Sequence, residues 1–572
     1  MVRLTSPTTP GTRLLAGALV IGAVVVGVAV ITGVASGVLP GGSSSQNAAL
    51  GAPHFVDETA TAGIDLTYDG DETYDVGGGV AVLDCDDDGR PDVYAAGGEG
   101  PAGLFRNASP TGSALRFERV ADSGADLPNV TGAYPLDVDG DGITDLAVLR
   151  VGQSQLLRGL GGCRFERADE AWGATPTPGY DTAFSATWEG DAARPTMAFG
   201  RYLTLQPSGA VELPCAPNEL LRPGADGLTY ESPAPLEPGF CALSMLFSDW
   251  DGSGRRDLRV SNDRHYYDNE VGGEQLWRFE PGVEPRLYTA AEGWGLLRLF
   301  GMGIASYDVT GDGLPEVYLT TQGANTLQTL RDGPSRPDFR DMANAQGIEG
   351  TRPASGGDPL PSTAWHPEFQ DVNNDGHMDL FVTKGNVNVQ PDFAGRDPSD
   401  LWLAQPDGSW VQAVDSAGLV HFDRGRGAAL ADFNLDGLLD LVEVNLSAPV
   451  RVWRNVGSGT ADVPAPMGHW VAWRLRDHGP NRDAIGALVD VRVGETPIGR
   501  REVVVGGGHI GGQLGWTTTG LGNATEAEIR VTWPDGEQGP WQRVAADGFV
   551  TIERGLAEPL PWVPPAATGS GG

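Results

Sequence analysis

Nine residues, Asp137 to Asp145 in DVDGDGITD, carry carboxylates at the first, third, fifth and ninth places and a glycine, Gly142, at the sixth. Oxygen donors on alternate residues around a sharp bend are how a short loop wraps a hard cation, with the Ile143 carbonyl as a further donor. A helical calcium-binding hand would close with a glutamate at the twelfth place between two helices. Here the apolar LAVL follows Asp145 at once, so the loop joins two strands.

Five further stretches repeat the pattern. The candidate ligands are Asp84, Asp86, Asp88 and Asp92 in DCDDDGRPD, and Asp137, Asp139, Asp141 and Asp145 in the loop above. DWDGSGRRD offers Asp249, Asp251, Ser253 and Asp257, and DVTGDGLPE offers Asp308, Asp312 and Glu316. DVNNDGHMD offers Asp371, Asn373, Asp375 and Asp379, and DFNLDGLLD offers Asp432, Asn434, Asp436 and Asp440. Thr310 at the third place makes the Asp308 loop the poorest donor set. Turns favour Asp and Gly for conformational reasons alone, but six copies in register point to calcium.

The loops must sit between strands, because each is followed by a β-type run such as VYAA, VYLT or LFVT. In the long gap after the second loop, WEGDAARPTMAFG aligns with the first and places Trp188, Gly190, Ala192 and Thr196 where ligands belong, a unit that keeps its strands and has lost the metal. The seven units then begin 51 to 63 residues apart. That period, with about four short strands per unit, predicts an all-β chain built as a seven-bladed β-propeller over residues 54–460.

A second marker repeats in phase, at Phe55, Phe117, Phe165, Leu287, Phe339 and Trp410, and reads as the outer strand of each blade. The last unit runs out after VRVWRN without one, so the strand at Phe55 is expected to pair with it and leave no open edge.

The formal net charge of -37 excludes a nucleic-acid partner held through phosphates. Residues 1–13 hold two arginines and no acid, and residues 14–39 are an uncharged apolar run. That run is long enough to span a bilayer, which takes about 20 residues, with the basic end in the cytoplasm. Val34-Ala35-Ser36 also suits signal cleavage. Either way the rest is exported, attached to the cell membrane or secreted, with residues 40–53 as a flexible tether.

Cys85, Cys163, Cys215 and Cys241 show no metal-site spacing. In an exported chain they allow three pairings; a bridge between Cys215 and Cys241, 26 residues apart before the Asp249 loop, is the one expected, and four free thiols are the alternative.

No nucleophile elbow, zinc-protease, phosphate-loop or dinucleotide motif occurs. The strand connections opposite the metal loops are long and polar at Ser261 to Glu274 and Gly385 to Asp400. With ALSMLFSD and STAWHPEFQD entering the same blades, His265, Tyr266, Asn386, Trp365 and His366 come in reach of a central pocket, with His265 and His366 as the candidates for any catalysis. Solvated loops with packed aromatics are the alternative.

After Met467 the repeat stops and HWVAWRL, ALVDVRV, REVVVGG, AEIRVTW and GFVTIER alternate as strands of a small β-sandwich-like domain, residues 467–555, before a tail, 556–572. NRDAIGALVDVRVG, RREVVVGGGHIGGQ and TGLGNATEAEIRVTWPDGEQ closely resemble the ASPIC/UnbV domain that ends the cartilage-acidic-protein-like family. The upstream loops resemble the FG-GAP or VCBS-type repeats of integrin α-chain propellers. TTTGLG departs from an HFGLG-like segment usual in the family. Asn481, Arg482 and Asp483 read as a turn held by an Arg-Asp pair.

The resemblance implies a secreted or surface protein with calcium-filled propeller loops and a role in adhesion or matrix interaction. The function expected is an exported, calcium-stabilised binding module that recognises a protein or glycan through the propeller face opposite the metals. The alternative is an extracellular enzyme acting on a polysaccharide or other polymer in the central pocket.

Overall fold

The computed structural model describes residues 49–263, 271–351, 359–387 and 392–565. The apolar run 14–39, His265 and Tyr266 lie outside them. Among the described residues no helix is long and apolar enough to cross a membrane.

The chain is all β, and seven four-stranded antiparallel arrays follow one another, called sheets 1 to 7. Their first strands are Val80–Leu83, Pro128–Leu136, Gly179–Thr187, Ala242–Ser248, Gly301–Tyr307, Ala364–Gln370 and Arg424–Ala431. Each of these contacts the first strand of the next sheet, and the last contacts the first, so the order is cyclic. Sheets 2 and 3 are also joined where the end of the second strand of sheet 2, Asp145–Gly152, pairs with the start of the first strand of sheet 3, at Gly152↔Gly179 and Val151↔Tyr180.

The fourth strand of sheet 7 comes from the other end of the chain. Phe55–Asp57 pairs antiparallel with Arg451–Asn455, Phe55 opposite Asn455 and Asp57 opposite Trp453, as the order of the markers predicts. Arg454 and Glu58 lock the junction with a buried ion pair of 2.8 Å. The marker aromatics Phe55, Phe117 and Phe165 are buried, each contributing about 2 kcal/mol by removal from water.

Two disulfides are present, Cys85–Cys163 and Cys215–Cys241. The first joins the metal-type loop of sheet 1 to the turn before the outer strand of sheet 2.

The C-terminal part is two four-stranded sheets, one around His469–Arg476 paired parallel with Gly548–Glu553, the other around Leu488–Val493. Their facing sides, including Trp473, Val489, Leu521, Ile529 and Ile552, form a core. Two expectations are corrected. The third strand is Thr496–Glu502, not REVVVGG, because residues after Glu502 leave the sheet. Part of the supposed tail is ordered: Leu560–Trp562 pairs with Gly548–Glu553, and the Trp562 ring packs on Trp516 and Phe549.

Candidate functional site: the cation-type loops and the centre they surround

Each acidic loop joins the first strand of a sheet to the second, and a shared hydrogen-bond pattern shapes it. The first-place carboxylate accepts the sixth-place glycine N–H at 2.8 to 2.9 Å in all six loops, from Gly89 to Asp84 through Gly437 to Asp432. Those glycines have φ between 83° and 89°, which a side chain would resist. The fifth-place carboxylate accepts the seventh-place N–H, as Asp88 does from Arg90 and Asp141 from Ile143.

The ninth place has a second task. Asp92 accepts Cys85 N and Asn107 N, Asp145 accepts Val138 N and Gly159 N, Asp379 accepts Val372 N and Ala404 N, and Asp440 accepts Phe433 N and Asn455 N. This residue pins the loop to the third strand of its own sheet as well as facing the loop interior.

Crowding of carboxylates is greatest in the first two loops, where Asp84, Asp86 and Asp92, and likewise Asp137, Asp139 and Asp145, bring oxygens within 4.8 Å of one another. Burial pushes Asp84 up to about 6, Asp137 to about 7, Asp145 to about 8 and Asp249 to about 6. Asp371, Asp379, Asp432 and Asp440 are raised too, chiefly by burial and then by the neighbouring carboxylates. Oδ1 of Asp86 and Oδ1 of Asp249 are buried without a hydrogen-bond partner. Buried, mutually repelling, oxygen-only donors suit a hard divalent cation.

The loops are not equivalent. At Asp249 to Asp257 the seventh-place Arg255 turns its guanidinium onto Asp251 at 3.2 Å and Asp257 at 2.9 Å, so the loop's own side chain supplies positive charge. Arg158 reaches Asp139 and Asp141 from the third strand of sheet 2. In the Asp308 loop the Thr310 hydroxyl is taken up by Glu316 at 3.2 Å. In the eroded unit an ion pair stands among the loop positions: Glu189 accepts from Thr196 and pairs with Arg222 at 2.7 Å.

The C-terminal domain sits on this face. Trp516 Nε1 donates to Gly89 O, Arg482 Nε to Gly140 O, Arg500 to Gly313 O, and Gly522 N to Asn374 O. Asp249 N donates to Glu502, and a Cβ on Gly437 would strike the Trp470 indole. All six loops are therefore touched. The expected Arg482-Asp483 turn is corrected: Asn481 holds the turn through both its amide atoms to Ile485, which frees Arg482 to reach the loop.

From this domain, residues 503–516 enter the centre of the cyclic array. Val505, Gly506, Gly508, Gly511 and Gln513 form bridges to Ala186, Leu246, Ile304, Ala133 and Val82, the first strands of five sheets. Sheet 6 contributes side chains, with His509 N donating to His366 Nδ1 at 3.0 Å and Gln513 to Glu368 at 2.7 Å. His509 is fully buried and its ring lies 4.8 Å from that of Trp365. Burial, and then the neighbouring Arg426, push its imidazole well below the usual histidine range.

His366 is thus not an open catalytic group. Its Nδ1 holds the inserted segment and its Nε2 faces Glu368 at 3.3 Å. Trp365 and Asn386 are buried, and the Arg426 guanidinium stands 4.4 Å over the Trp365 ring. The sequence drew attention to GGGHIGGQ without revealing its place. Its signal was glycine at positions where a sheet strand would carry side chains.

These features coincide with comparisons to known proteins. The chain carries an ASPIC and UnbV domain, matched over residues 477–559. FG-GAP-like repeats match residues 84–187, 308–382 and 371–443. Cartilage acidic protein 1 of Homo sapiens is 25% identical over 258 residues, 40% of this chain and 35% of that protein. The Xenopus tropicalis protein is 24% identical over 249 residues, 40% of this chain and 36% of its own length. The match therefore spans about a third of these relatives.

Among solved structures, BBS1N from its complex with ARL6DN matches 71% of this chain and 97% of its own at 9% identity and a TM-score of 0.38. A Trichoderma reesei protein of carbohydrate-active enzyme family AA12 matches 72% and 98% at 9% identity and a TM-score of 0.33.

Proposed function

We propose that this is an exported, calcium-stabilised binding module of the adhesion type, a seven-bladed propeller that recognises an extracellular protein or glycan through the face opposite its metal loops. One observation carries the choice of face: the C-terminal domain touches all six loops and sends residues 503–516 into the centre from that side, around a cavity of about 600 Å³, whereas the opposite mouth is free of that domain. The cyclic contacts of the first strands and the pairing of Phe55–Asp57 with the last sheet support the propeller reading. Residues 14–39 would tether the module to the cell membrane.

Calcium would be held by the loops with full donor sets, first those at Asp84 and Asp137, then those at Asp371 and Asp432. Its role there is charge compensation and loop closure. Where free calcium stands a few-fold above the dissociation constant, each site adds on the order of 1 kcal/mol. A thermal melt of the protein with and without chelator tests this. The midpoint should fall by several degrees on chelation and return with calcium; an unchanged midpoint refutes a structural ion. Panels of glycans and extracellular peptides, screened against wild type and mouth variants, test the face.

A further inference from the structure

Six loops share one backbone frame, yet the donor set of Asp249 to Asp257 does not suit the ion that frame implies. Its ninth-place carboxylate is taken up by the protein. Oδ1 of Asp257 accepts Phe279 N at 3.0 Å and Arg255 Nε at 2.9 Å, and Oδ2 accepts Trp250 Nε1 and the Tyr288 hydroxyl at 2.8 Å and Arg255 Nη2 at 3.0 Å. A carboxylate has about four acceptor sites, so these donors leave Asp257 none for a metal. At the same place Asp92, Asp145, Asp379 and Asp440 each accept two backbone N–H groups.

Arg255 also reaches Oδ2 of the third-place Asp251 at 3.2 Å. Its guanidinium thus joins the third and ninth places, both of which supply ligands in a calcium loop of this kind. The fifth place is the neutral Ser253. Oδ1 of Asp249 is left over, one oxygen where calcium takes about six to eight.

Arginine at the seventh place does not by itself produce this arrangement. Arg90 holds that place in the first loop and turns away, Nη1 donating to Ser109 O at 2.7 Å while Nε stays 4.0 Å from Asp88. The second place makes the difference: the first loop has Cys85, tied into a disulfide, and this loop has Trp250, whose indole shares Asp257 with Arg255 and packs edge-on against Tyr288. Tyr288 in turn accepts from Arg255 Nη2 at 2.9 Å. Arg158 is not equivalent, because it comes from another strand and meets the third and fifth places of its loop, leaving Asp145 to the backbone. The unit before Asp249 points the same way. There the Glu189–Arg222 pair stands among the loop positions, and the first strands of sheets 3 and 4 are in contact.

We infer that the Asp249–Asp257 loop holds Arg255 in place of calcium, so that sheets 3 and 4 form a sector closed by arginine and independent of the metal. A guanidinium keeps its charge at every physiological pH, and it cannot be removed by a chelator. The inference rests on the calcium reading above for the other loops and takes one site away from the six that the sequence suggests.

The test is equilibrium dialysis of the full chain against saturating radiolabelled calcium, with thermal melts in chelator alongside. Asp251→Asn, an isosteric change, should leave the number of bound ions at the wild-type value, whereas Asp137→Asn should lower it by one. Arg255→Leu, which copies the seventh residue of the Asp308 and Asp432 loops, should melt several degrees below wild type in chelator. Loss of one ion in Asp251→Asn overturns the inference, and so does an Arg255→Leu midpoint equal to that of wild type in chelator. If the wild-type protein binds no calcium, the calcium reading fails, and the Arg255→Leu melt in chelator still decides whether the arginine holds its loop.

Discussion

At the scale of single residues, the packing of the centre depends on what is absent. A Cβ on Gly132 or Gly79 would run into the carbonyl of Ile510 in the inserted segment, and neither neighbour can give way, since both are backbone. Gly132→Ala should therefore lower stability by about 1–3 kcal/mol and loosen the C-terminal domain. Denaturant melts together with amide exchange at 503–516 would show it, and native-like protection there would contradict the packing described.

A second residue-scale effect is electrostatic. Burial raises Glu274 to about 7, with Oε1 accepting Asn262 N and Oε2 unpartnered. A carboxyl that keeps its proton longer when folded favours the folded state below the unfolded value, near 4.5, and loses that contribution as pH rises through about 7. The loss amounts to about 3 kcal/mol at 1.36 kcal/mol per unit. Glu274→Gln should remove this decline across pH 4.5 to 7; an identical pH profile would mean the carboxyl is ionised throughout.

At the scale of elements, the strand Phe55–Asp57 gives sheet 7 its fourth member and links the two ends of the repeat array. Without it, Arg451–Asn455 would be an open edge and Arg454 would lose Glu58, leaving one buried charge of the pair uncompensated. Deleting residues 52–61 should abolish cooperative folding of the whole array. A soluble truncation melting within a few degrees of wild type would show that the edge needs no partner.

At the scale of the molecule, loops, arginines and inserted segment form one arrangement. The loop face is strongly acidic, and the C-terminal domain brings Arg482, Arg500 and Arg501 to it, each donating to a backbone carbonyl in or beside a loop. Stopping the chain after residue 466 would uncover all six loops and empty the centre. Such a truncation should melt lower than the whole protein even in saturating calcium, and should depend more steeply on calcium. Equal melting of the two would mean that the domain rides on the array without supporting it.

The sequence by itself determined the repeat, its seven units, the acidic loops between strands, the eroded unit at Trp188 and the strand that returns from the N-terminal side. These are local matters: the loop's oxygen-donor pattern is written in nine consecutive residues, and strand order in the phase of two markers. Tertiary structure decided what no local pattern encodes. Which face the C-terminal domain covers, that REVVVGG abandons its sheet, that His366 serves a backbone N–H, and that Arg255 answers its own loop's carboxylates all depend on residues hundreds of positions apart or on rotamer choice. Glycines, having no side chain, advertise close approach without naming the partner, and only the folded centre shows that the partner is the chain's own C-terminal segment.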